Sequence, residues 1–301
     1  MGAPLDATDH PDNGRHVAGL PRPLAFVLSG GASSGATQVG MLRALRDAGI
    51  RPDIVVGTSV GAINGVMVAG STDSGVDRLS DVWGEIDRDE ILGSSSIRCL
   101  PRLFRTRRHL FPPDALRALI QRNLPVRRFD ALPVRFAAVA THVAQGTPTL
   151  LLDGDIERAL LASAAIPGIF PRVEIDGHWY FDGGVTANIP VRQAVELGAR
   201  SVVVLDAAPP PADRDQPSNI AETLQHVAGL LMRSQISSDV SHMRGHCDLV
   251  ELPRCTPQRV GPFDFSRSAE LMERAYKRTR RFLTARHSRP SNRSSPATMP
   301  A

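Results

Sequence analysis

Short apolar runs alternate with amphipathic segments along the first part of the chain. Residues 24–28 are a brief apolar run, and residues 53–56 are an aspartate followed by three β-branched apolar residues. Both segments are typical of strands buried in a parallel sheet. Residues 37–48 carry apolar side chains at helical spacing and stop at Gly49, which predicts a helix between these strands. This order of strands and helices predicts an α/β fold with a mostly parallel central sheet.

The apolar and polar pattern of the remaining chain also predicts both helices and strands. Further helices are predicted over residues 62–69, 74–92, 113–123, 155–164, 191–197, 219–243 and 267–286. Further strands are predicted over residues 134–143, 149–152, 172–175, 178–181, 201–205 and 248–252. Asp176-Gly177 indicates a tight hairpin between two of these strands.

Composition distinguishes a core from its flanking segments. Residues 1–22 are polar and residues 286–301 are rich in Ser, Pro and Arg, so both are expected to be disordered. The Pro/Asp-rich stretch 207–217 predicts a linker between a core at 23–206 and a helical part at 218–285 that packs on it. No signal peptide or membrane span is apparent, so a soluble, cytoplasmic protein is expected.

Charge and cysteine content exclude some classes of function. A formal net charge of +4 over 301 residues is modest and does not indicate nucleic acid as a partner. The three cysteines predict neither a disulfide framework nor a zinc site, because their number is odd and their spacing unsuitable. Residues 98–111 interleave five arginines with leucine and phenylalanine. This segment is either a solvated loop or a basic lid that makes peripheral contact with an anionic membrane.

A Gly-x-Ser-x-Gly motif, Gly57-Thr-Ser-Val-Gly61, lies between the second predicted strand and a predicted helix. Strand, turn and helix is the context of a nucleophile elbow, which exposes a serine hydroxyl at a sharp turn. Gly57 and Gly61 would leave room for that turn. Ser59 is therefore the candidate nucleophile, at a helix N-terminus that favours a developing oxyanion. An ordinary Gly/Ser turn is the alternative.

Residues 29–35 form a second Gly/Ser loop, directly after the first strand. Gly30 and Gly31 leave backbone N–H groups uncovered at the end of a strand, where ligands bind in α/β folds. These groups are candidate donors for an oxyanion hole. A phosphate-binding loop is the alternative, but the stretch fits neither G-x-G-x-x-G nor G-x-x-x-x-G-K-[ST] and contains no lysine.

A serine hydroxyl needs a base to become a strong nucleophile. Asp182 is the first candidate, because it follows the aromatic residues 179–181 and precedes Gly183 and Gly184, which leave its carboxylate open. Asp206, at the end of another predicted strand, is the second. A Ser-His-Asp triad would need a histidine, for which the candidates are His142, His178 and His226.

Four ordered blocks resemble the patatin-like phospholipase family of bacterial serine acylhydrolases. The blocks are residues 28–42, 56–64, 162–171 and 181–190. The resemblance implies a three-layer α/β/α sandwich, ester-linked acyl lipids as substrates, and catalysis without a metal or cofactor. It also implies a two-residue mechanism, in which Ser59 is the nucleophile and Asp182 its only partner. The backbone of Gly30, Gly31 and Ala32 would then form the oxyanion hole.

The chain departs from the family pattern in three places. Ala32 replaces the third glycine of the loop, at little cost if its φ is negative. Ser34 replaces a basic residue of many members, which bears on substrate preference. Gly184 ends a motif that in many members reads Asp-Gly-Ala. The expected activity is hydrolysis of lipid acyl esters through an acyl-enzyme. Acyl transfer by the same site, or an inactive lipid-binding protein, are the alternatives.

Overall fold

The computed structural model describes residues 17–93, 110–208, 243–257 and 261–287. In these ranges, one mixed sheet contains the strands β1 (Leu24–Leu28), β2 (Ile54–Thr58), β3 (Arg135–His142), β4 (Thr147–Leu151), β5 (Val173–Ile175), β6 (His178–Asp182), β7 (Ser201–Leu205) and β8 (Asp248–Glu251). The helices are α1 (Ala36–Asp47), α2 (Val60–Gly70), α3 (Thr72–Glu85), α4 (Arg88–Leu92), α5 (Asp114–Asn123), α6 (Ile156–Ser163), α7 (Val191–Glu196) and α8 (Ser268–His287).

The body of the sheet is parallel, as predicted. Its strands follow the order β3-β2-β1-β7-β8, and each neighbouring pair in this series is parallel. The antiparallel strands β4, β5 and β6 gather at the β3 end of the sheet. The hairpin between β5 and β6 turns at Asp176 and Gly177, which both have positive φ, as the sequence there favours.

Strands β2 and β6 lie along the same edge of β3. Residues 138–142 of β3 pair with β4 on the opposite edge, which leaves one edge for both β2 and β6. Thr58, the last residue of β2, is opposite Val139, and Asp182, the last residue of β6, is opposite Ala140. The two strands therefore run toward each other, and their ends meet beside consecutive residues of β3.

Alternate residues of the parallel strands enter two separate cores, because successive side chains of a strand point to opposite faces. Phe26 and Leu28 face a core that also contains buried residues of α1, α2, α3 and α6. Val27 and Val56 face a second core, which includes Val191 of α7. Helices thus cover both faces of the sheet, which gives the three-layer α/β/α sandwich that the family resemblance implies.

Two parts of the structure differ from the sequence prediction. The single helix predicted over 74–92 is two helices, because Ile86 is extended and the Asp87 side chain accepts from the Glu90 N–H to cap α4. Val17 and Leu20, which fall in the predicted disordered lead, are buried. Their apolar side chains pack into the core that contains Phe26.

Several predicted segments lie outside the described residues. They are positions 1–16 of the lead, most of the linker at 207–217, the helix at 219–243 except its last residue, and positions 288–301 of the tail. At the C-terminal end of the described part, α8 lies along α1, where the Tyr276 hydroxyl donates to Asp47. No helix in the described ranges has the combined length and apolarity needed to cross a membrane.

Candidate active site

Ser59 occupies the turn between β2 and α2. Its φ of 55° and ψ of −124° place it in a backbone region that residues with a side chain rarely adopt. A Cβ at Gly57 would lie 2.3 Å from the Gly61 carbonyl oxygen, and one at Gly61 would lie 2.4 Å from the Leu28 carbonyl oxygen. The turn is this tight only because both positions are glycine. The strand, turn and helix expected around Ser59 are all present.

Asp182 accepts a hydrogen bond from this serine. The Ser59 hydroxyl donates to Asp182 Oδ2 at 2.6 Å, and the Gly184 N–H donates to Asp182 Oδ1 at 2.7 Å. Burial raises the pKa of Asp182 from 3.8 to about 6, although both hydrogen bonds act in the opposite direction. The carboxylate is therefore a stronger base than that of an exposed aspartate, and it is still mostly ionised at neutral pH.

Among the described residues, no histidine lies between the two side chains, since the Ser59 hydroxyl bonds directly to Asp182. Neither His142 nor His178 forms a hydrogen bond with Ser59 or Asp182. The two imidazole rings instead lie 5.1 Å from each other, and His142 Nδ1 accepts from the Gln145 N–H. The third candidate, His226, falls outside the described residues.

Asp206 supports the neighbouring Gly/Ser loop and forms no hydrogen bond with Ser59. It follows β7, and its buried carboxylate accepts from the Ser29 hydroxyl at 3.2 Å and from the Ala208 N–H at 2.8 Å. The Arg254 side chain forms an ion pair with it at 2.6 Å. Burial raises the pKa of Asp206, and the charge of Arg254 opposes that rise. Asp206 therefore anchors the first residue of the loop.

The backbone of Gly30, Gly31 and Ala32 matches the predicted oxyanion hole only in part. The Gly30 N–H donates to the Asn188 carbonyl oxygen at 3.1 Å, so it is not available to an oxyanion in this arrangement. The Gly31 and Ala32 N–H groups have no acceptor among the described residues. Ala32 lines the same cavity as Ser59. Gly31 and Ala32 are thus the candidate donors, whereas the Gly30 N–H attaches the loop to Asn188.

Ala32 does not have the negative φ at which replacing glycine by alanine would cost little. Its φ is 48°, which is in the left-handed region. The methyl group makes that conformation about 1–2 kcal/mol less favourable than it would be for glycine. Hydrogen bonds on the C-terminal side hold the loop in place, from the Ser33 N–H to the Pro262 carbonyl and from the Ser34 N–H to the Gly31 carbonyl.

Two buried amide side chains and the indole N–H of a buried tryptophan, none of which stood out in the sequence, connect this loop to the helix that follows Ser59. Asn64 of α2 donates to the Gly35 carbonyl oxygen at 3.1 Å and to Gln38 Oε1 at 3.0 Å. Gln38 in turn donates to the Ser29 carbonyl oxygen, and Trp83 Nε1 donates to Asn64 Oδ1. Gln38 and Asn64 lie in the blocks that resemble the family, but their types alone do not disclose a structural role.

A cavity beside Ser59 extends between α2, α3, α5 and α6. Of the described residues that line it, all are apolar except Ser59, Asn64 and Asn123. The lining includes Met67, Leu79, Leu119, Leu160 and Phe170. A cavity of this composition fits an extended hydrocarbon group and offers almost nothing to a charged one.

Comparison with known proteins relates this geometry to a family. The patatin-like phospholipase family model matches residues 26–195, more than half of the chain. The chain belongs to the patatin-like phospholipase family. Patatin-like phospholipase domain-containing protein 7 of Rattus norvegicus is 30% identical over 186 residues, which are 61% of this chain and 13% of that protein. Lysophospholipase NTE1 of Mycosarcoma maydis is 26% identical over 252 residues, which are 79% of this chain and 12% of that protein.

This patatin-like phospholipase chain is thus matched to a small part of much larger relatives, about an eighth of their length. Among solved structures, VipD from Legionella pneumophila is similar, with a TM-score of 0.50 and 14% identity. That alignment covers 88% of this chain and 67% of the VipD chain. The likeness to VipD supports the fold that patatin-like phospholipases share.

Segment 98–111 of this patatin-like phospholipase, for which the sequence left a solvated loop and a membrane-contacting lid as alternatives, lies mostly outside the described residues. Its last two residues are described: the Leu110 and Phe111 N–H groups donate to the carbonyl oxygens of Gly168 and Ile169. Phe111 is buried. The end of the segment is therefore attached to the turn at 166–171, and Ile166 of that turn lines the cavity.

Proposed function

We propose that this chain is a serine acylhydrolase that cleaves acyl esters of lipids, in the manner of a phospholipase A or a lysophospholipase. The observation that carries this proposal is the 2.6 Å hydrogen bond to the buried Asp182 from Ser59, which lines an apolar cavity. Membership of the patatin-like phospholipase family supports it. A relative named as a lysophospholipase supports the class of substrate.

In the first half of the reaction, the Ser59 Oγ attacks the carbonyl carbon of the ester while Asp182 Oδ2 accepts the hydroxyl proton. The resulting tetrahedral oxyanion is stabilised by backbone N–H donors, and the candidates are those of Gly31 and Ala32, which have no acceptor among the described residues. When the intermediate collapses, the bond from the carbonyl carbon to the alcohol oxygen breaks. The leaving alcohol takes the proton from Asp182, and the acyl group stays on Ser59.

In the second half, a water molecule attacks the acyl carbon and gives a proton to Asp182. The second tetrahedral intermediate collapses by breaking the bond to Ser59 Oγ, which recovers its proton from Asp182. The products are a free fatty acid and the original enzyme. One carboxylate thus acts as base and then as acid in each half-reaction, which suits a group with a pKa of about 6.

In the proposed reaction, the acyl chain of the lipid lies inside the apolar cavity and its polar headgroup lies outside it. An acyl chain bound among Met67, Leu79 and Leu119 would contact only apolar side chains there and would bring no unpaired polar group into the cavity. A polar headgroup would have almost no partners there, so it would remain outside the cavity. This arrangement favours a lipid with a long acyl chain over a small polar ester.

Ester hydrolysis is expected to decline as the pH falls through about 6. Asp182 accepts a proton only when it is ionised, and burial raises its pKa to about 6, so the active form is present above that pH and is lost below it. The value of kcat/KM should be measured between about pH 4.5 and 8. An acid limb near pH 4 would contradict the role of a buried carboxylate as the base.

A fluorophosphonate probe tests the proposed function directly. Ser59 Oγ should attack its phosphorus and displace fluoride, so the wild-type protein should be labelled at Ser59, as mapped by peptide mass spectrometry. Ser59→Ala should not be labelled and should not release fatty acid from lysophospholipid micelles. Ser71→Ala is the matched control, because Ser71 follows the same helix and its side chain caps nothing.

Folded wild-type protein that takes up no label would contradict the proposal and favour an inactive lipid-binding protein. Labelled protein whose product depends on an added alcohol acceptor would instead show acyl transfer. Release of fatty acid into water without an acceptor supports the hydrolase.

A further inference from the structure

The block at 162–171 has no part in the reaction steps above, yet it contacts the backbone of both Ser59 and Asp182. Ser163 is the last residue of α6 and is fully buried. Its hydroxyl accepts from the Ser59 N–H at 2.9 Å and donates to the Val139 carbonyl oxygen at 2.6 Å. Two residues later, the Ala165 carbonyl oxygen accepts from the Asp182 N–H at 2.9 Å.

We propose that Ser163 is a positioning residue for the nucleophile: its hydroxyl attaches the Ser59 peptide to β3 and so directs Ser59 Oγ toward Asp182. This inference rests on the proposed function of Ser59.

The hydroxyl of Ser163 extends the pairing of β2 with β3 by one step. The paired residues end at Thr58 and Val139, after which the chain turns sharply into α2. Ser163 Oγ links the next N–H, that of Ser59, to the Val139 carbonyl oxygen. Only a group that donates and accepts at one atom can make this link, and a hydroxyl does so.

The link matters because Ser59 is held in an unfavourable backbone conformation. A residue with φ near 55° keeps that value only where its surroundings constrain it. Without the Ser163 hydroxyl, the Ser59 N–H would be buried with no acceptor, which is unfavourable. A rotation of the peptide that gives this N–H a new acceptor would lower the free energy. That rotation would carry Ser59 Oγ away from Asp182.

The same block constrains the other partner. Because Ala165 binds the Asp182 N–H, a displacement of the end of α6 would move both sides of the Ser59–Asp182 contact. The Thr141 hydroxyl provides a second hold on this side, as it donates to the Asp182 carbonyl oxygen at 2.8 Å. Among the described residues, the Ser59 N–H has Ser163 as its only acceptor. The position of Ser59 should therefore depend more strongly on the end of α6 than that of Asp182 does.

The test compares Ser163→Ala with Ser201→Ala in the full chain. Ser201 is a matched control, because it is also fully buried in the sheet core and its hydroxyl has no hydrogen-bond partner among the described residues. Ser163→Ala should lower kcat for lysophospholipid hydrolysis by about 10²-fold, since a displacement of about 1 Å at the reacting atoms has that effect. Its KM should stay within about twofold, because the cavity is unchanged.

The pH profile gives a readout that loss of packing would not change. The hydrogen bond from Ser59 lowers the pKa of Asp182, so weakening it should raise that pKa. The acid limb of Ser163→Ala should therefore move to higher pH, while that of Ser201→Ala should match the wild type.

Crystal structures of the wild type and Ser163→Ala test positioning without any substrate. The expected result is that Ser59 leaves the φ region near 55° and that its Oγ lies more than about 3.5 Å from Asp182. Unchanged geometry would overturn the inference, as would equal loss of kcat in both alanine variants or no loss in Ser163→Ala. A wild type that hydrolyses no ester would remove the proposed function, and the two structures would still decide whether Ser163 positions Ser59.

Discussion

Asp182→Asn is expected to lower kcat for lipid ester hydrolysis by about 10³-fold or more and to make the folded protein more stable at pH 8. The amide cannot take the proton of the Ser59 hydroxyl, so the step that activates the nucleophile is lost. The shape of the side chain is kept: the amide oxygen can still accept from the Gly184 N–H, and the amide nitrogen can donate to Ser59 Oγ.

The gain in stability follows from the direction of the pKa shift. Burial raises the pKa of Asp182 from 3.8 to about 6, so ionised Asp182 is less favourable in the folded protein than in the unfolded chain. The free energy of unfolding should therefore decrease as pH rises from about 4 to 6 and remain reduced above that range. A shift of about two pKa units corresponds to roughly 3 kcal/mol, and Asp182→Asn should recover about 1–3 kcal/mol of it.

Urea unfolding at pH 8 and at pH 4, together with kcat, measures both effects. The difference in stability between Asp182→Asn and the wild type should be largest at pH 8 and should shrink at pH 4, where the wild-type carboxyl is protonated. Asp81→Asn, at an exposed position of α3, is the control and should keep full activity and stability within about 0.5 kcal/mol. An active Asp182→Asn enzyme would point to a different base, with a histidine as the first candidate.

Gly61→Ala is expected to destabilise the fold by about 3 kcal/mol or more, or to prevent recovery of folded protein. The new Cβ would lie 2.4 Å from the Leu28 carbonyl oxygen and 2.5 Å from that of Ser29, and both contacts are with backbone at the end of β1. Relief requires α2 to move away from β1. That movement would also separate Ser59 from the loop that carries Gly31 and Ala32.

Denaturant unfolding should be compared with Gly84→Ala, which places the same methyl group in α3. A Cβ at Gly84 meets nothing within 4 Å, so this variant should gain about 0.5–1 kcal/mol from the better helix propensity of alanine. If Gly61→Ala were as stable as the wild type, α2 could not be packed against the end of β1 as the structure has it.

Local patterns were sufficient for the elements of the central sheet. The apolar run at 24–28 gave the bounds of β1, because a strand buried on both faces is apolar at every position. The Gly-x-Ser-x-Gly motif located the turn at Ser59, because Gly57 and Gly61 are required by contacts within and beside that turn. Both are properties of a few consecutive residues.

The contact between Ser59 and Asp182 could not be obtained from the residue pattern alone. It joins positions 123 apart in the chain and depends on β6 pairing with β3 beyond the end of β2. The residue pattern named Ser59 and put Asp182 first, but it left Asp206 and a histidine open as alternatives, and only the resemblance to a family made Asp182 the sole partner. Its expectation for Gly30 was wrong in part, because the Gly30 N–H is taken by Asn188, whose position is set by the fold after β6. The positive φ of Ala32 could not be predicted, because loop closure sets that angle and the residue type does not disclose it.

Strands β2 and β6 end beside consecutive residues of β3, so the residues that position Ser59 and Asp182 differ from those that shape most of the cavity. Pairing with β3 sets the relative position of Ser59 and Asp182, whereas the helices that carry Leu79 and Leu119 form part of the apolar cavity wall. Substitutions at Leu79 or Leu119 would change the cavity without changing the pairing of β2 and β6 with β3. For the proposed hydrolase, this separation predicts that chain-length preference can diversify, by evolution or by engineering, while the Ser59–Asp182 contact is kept.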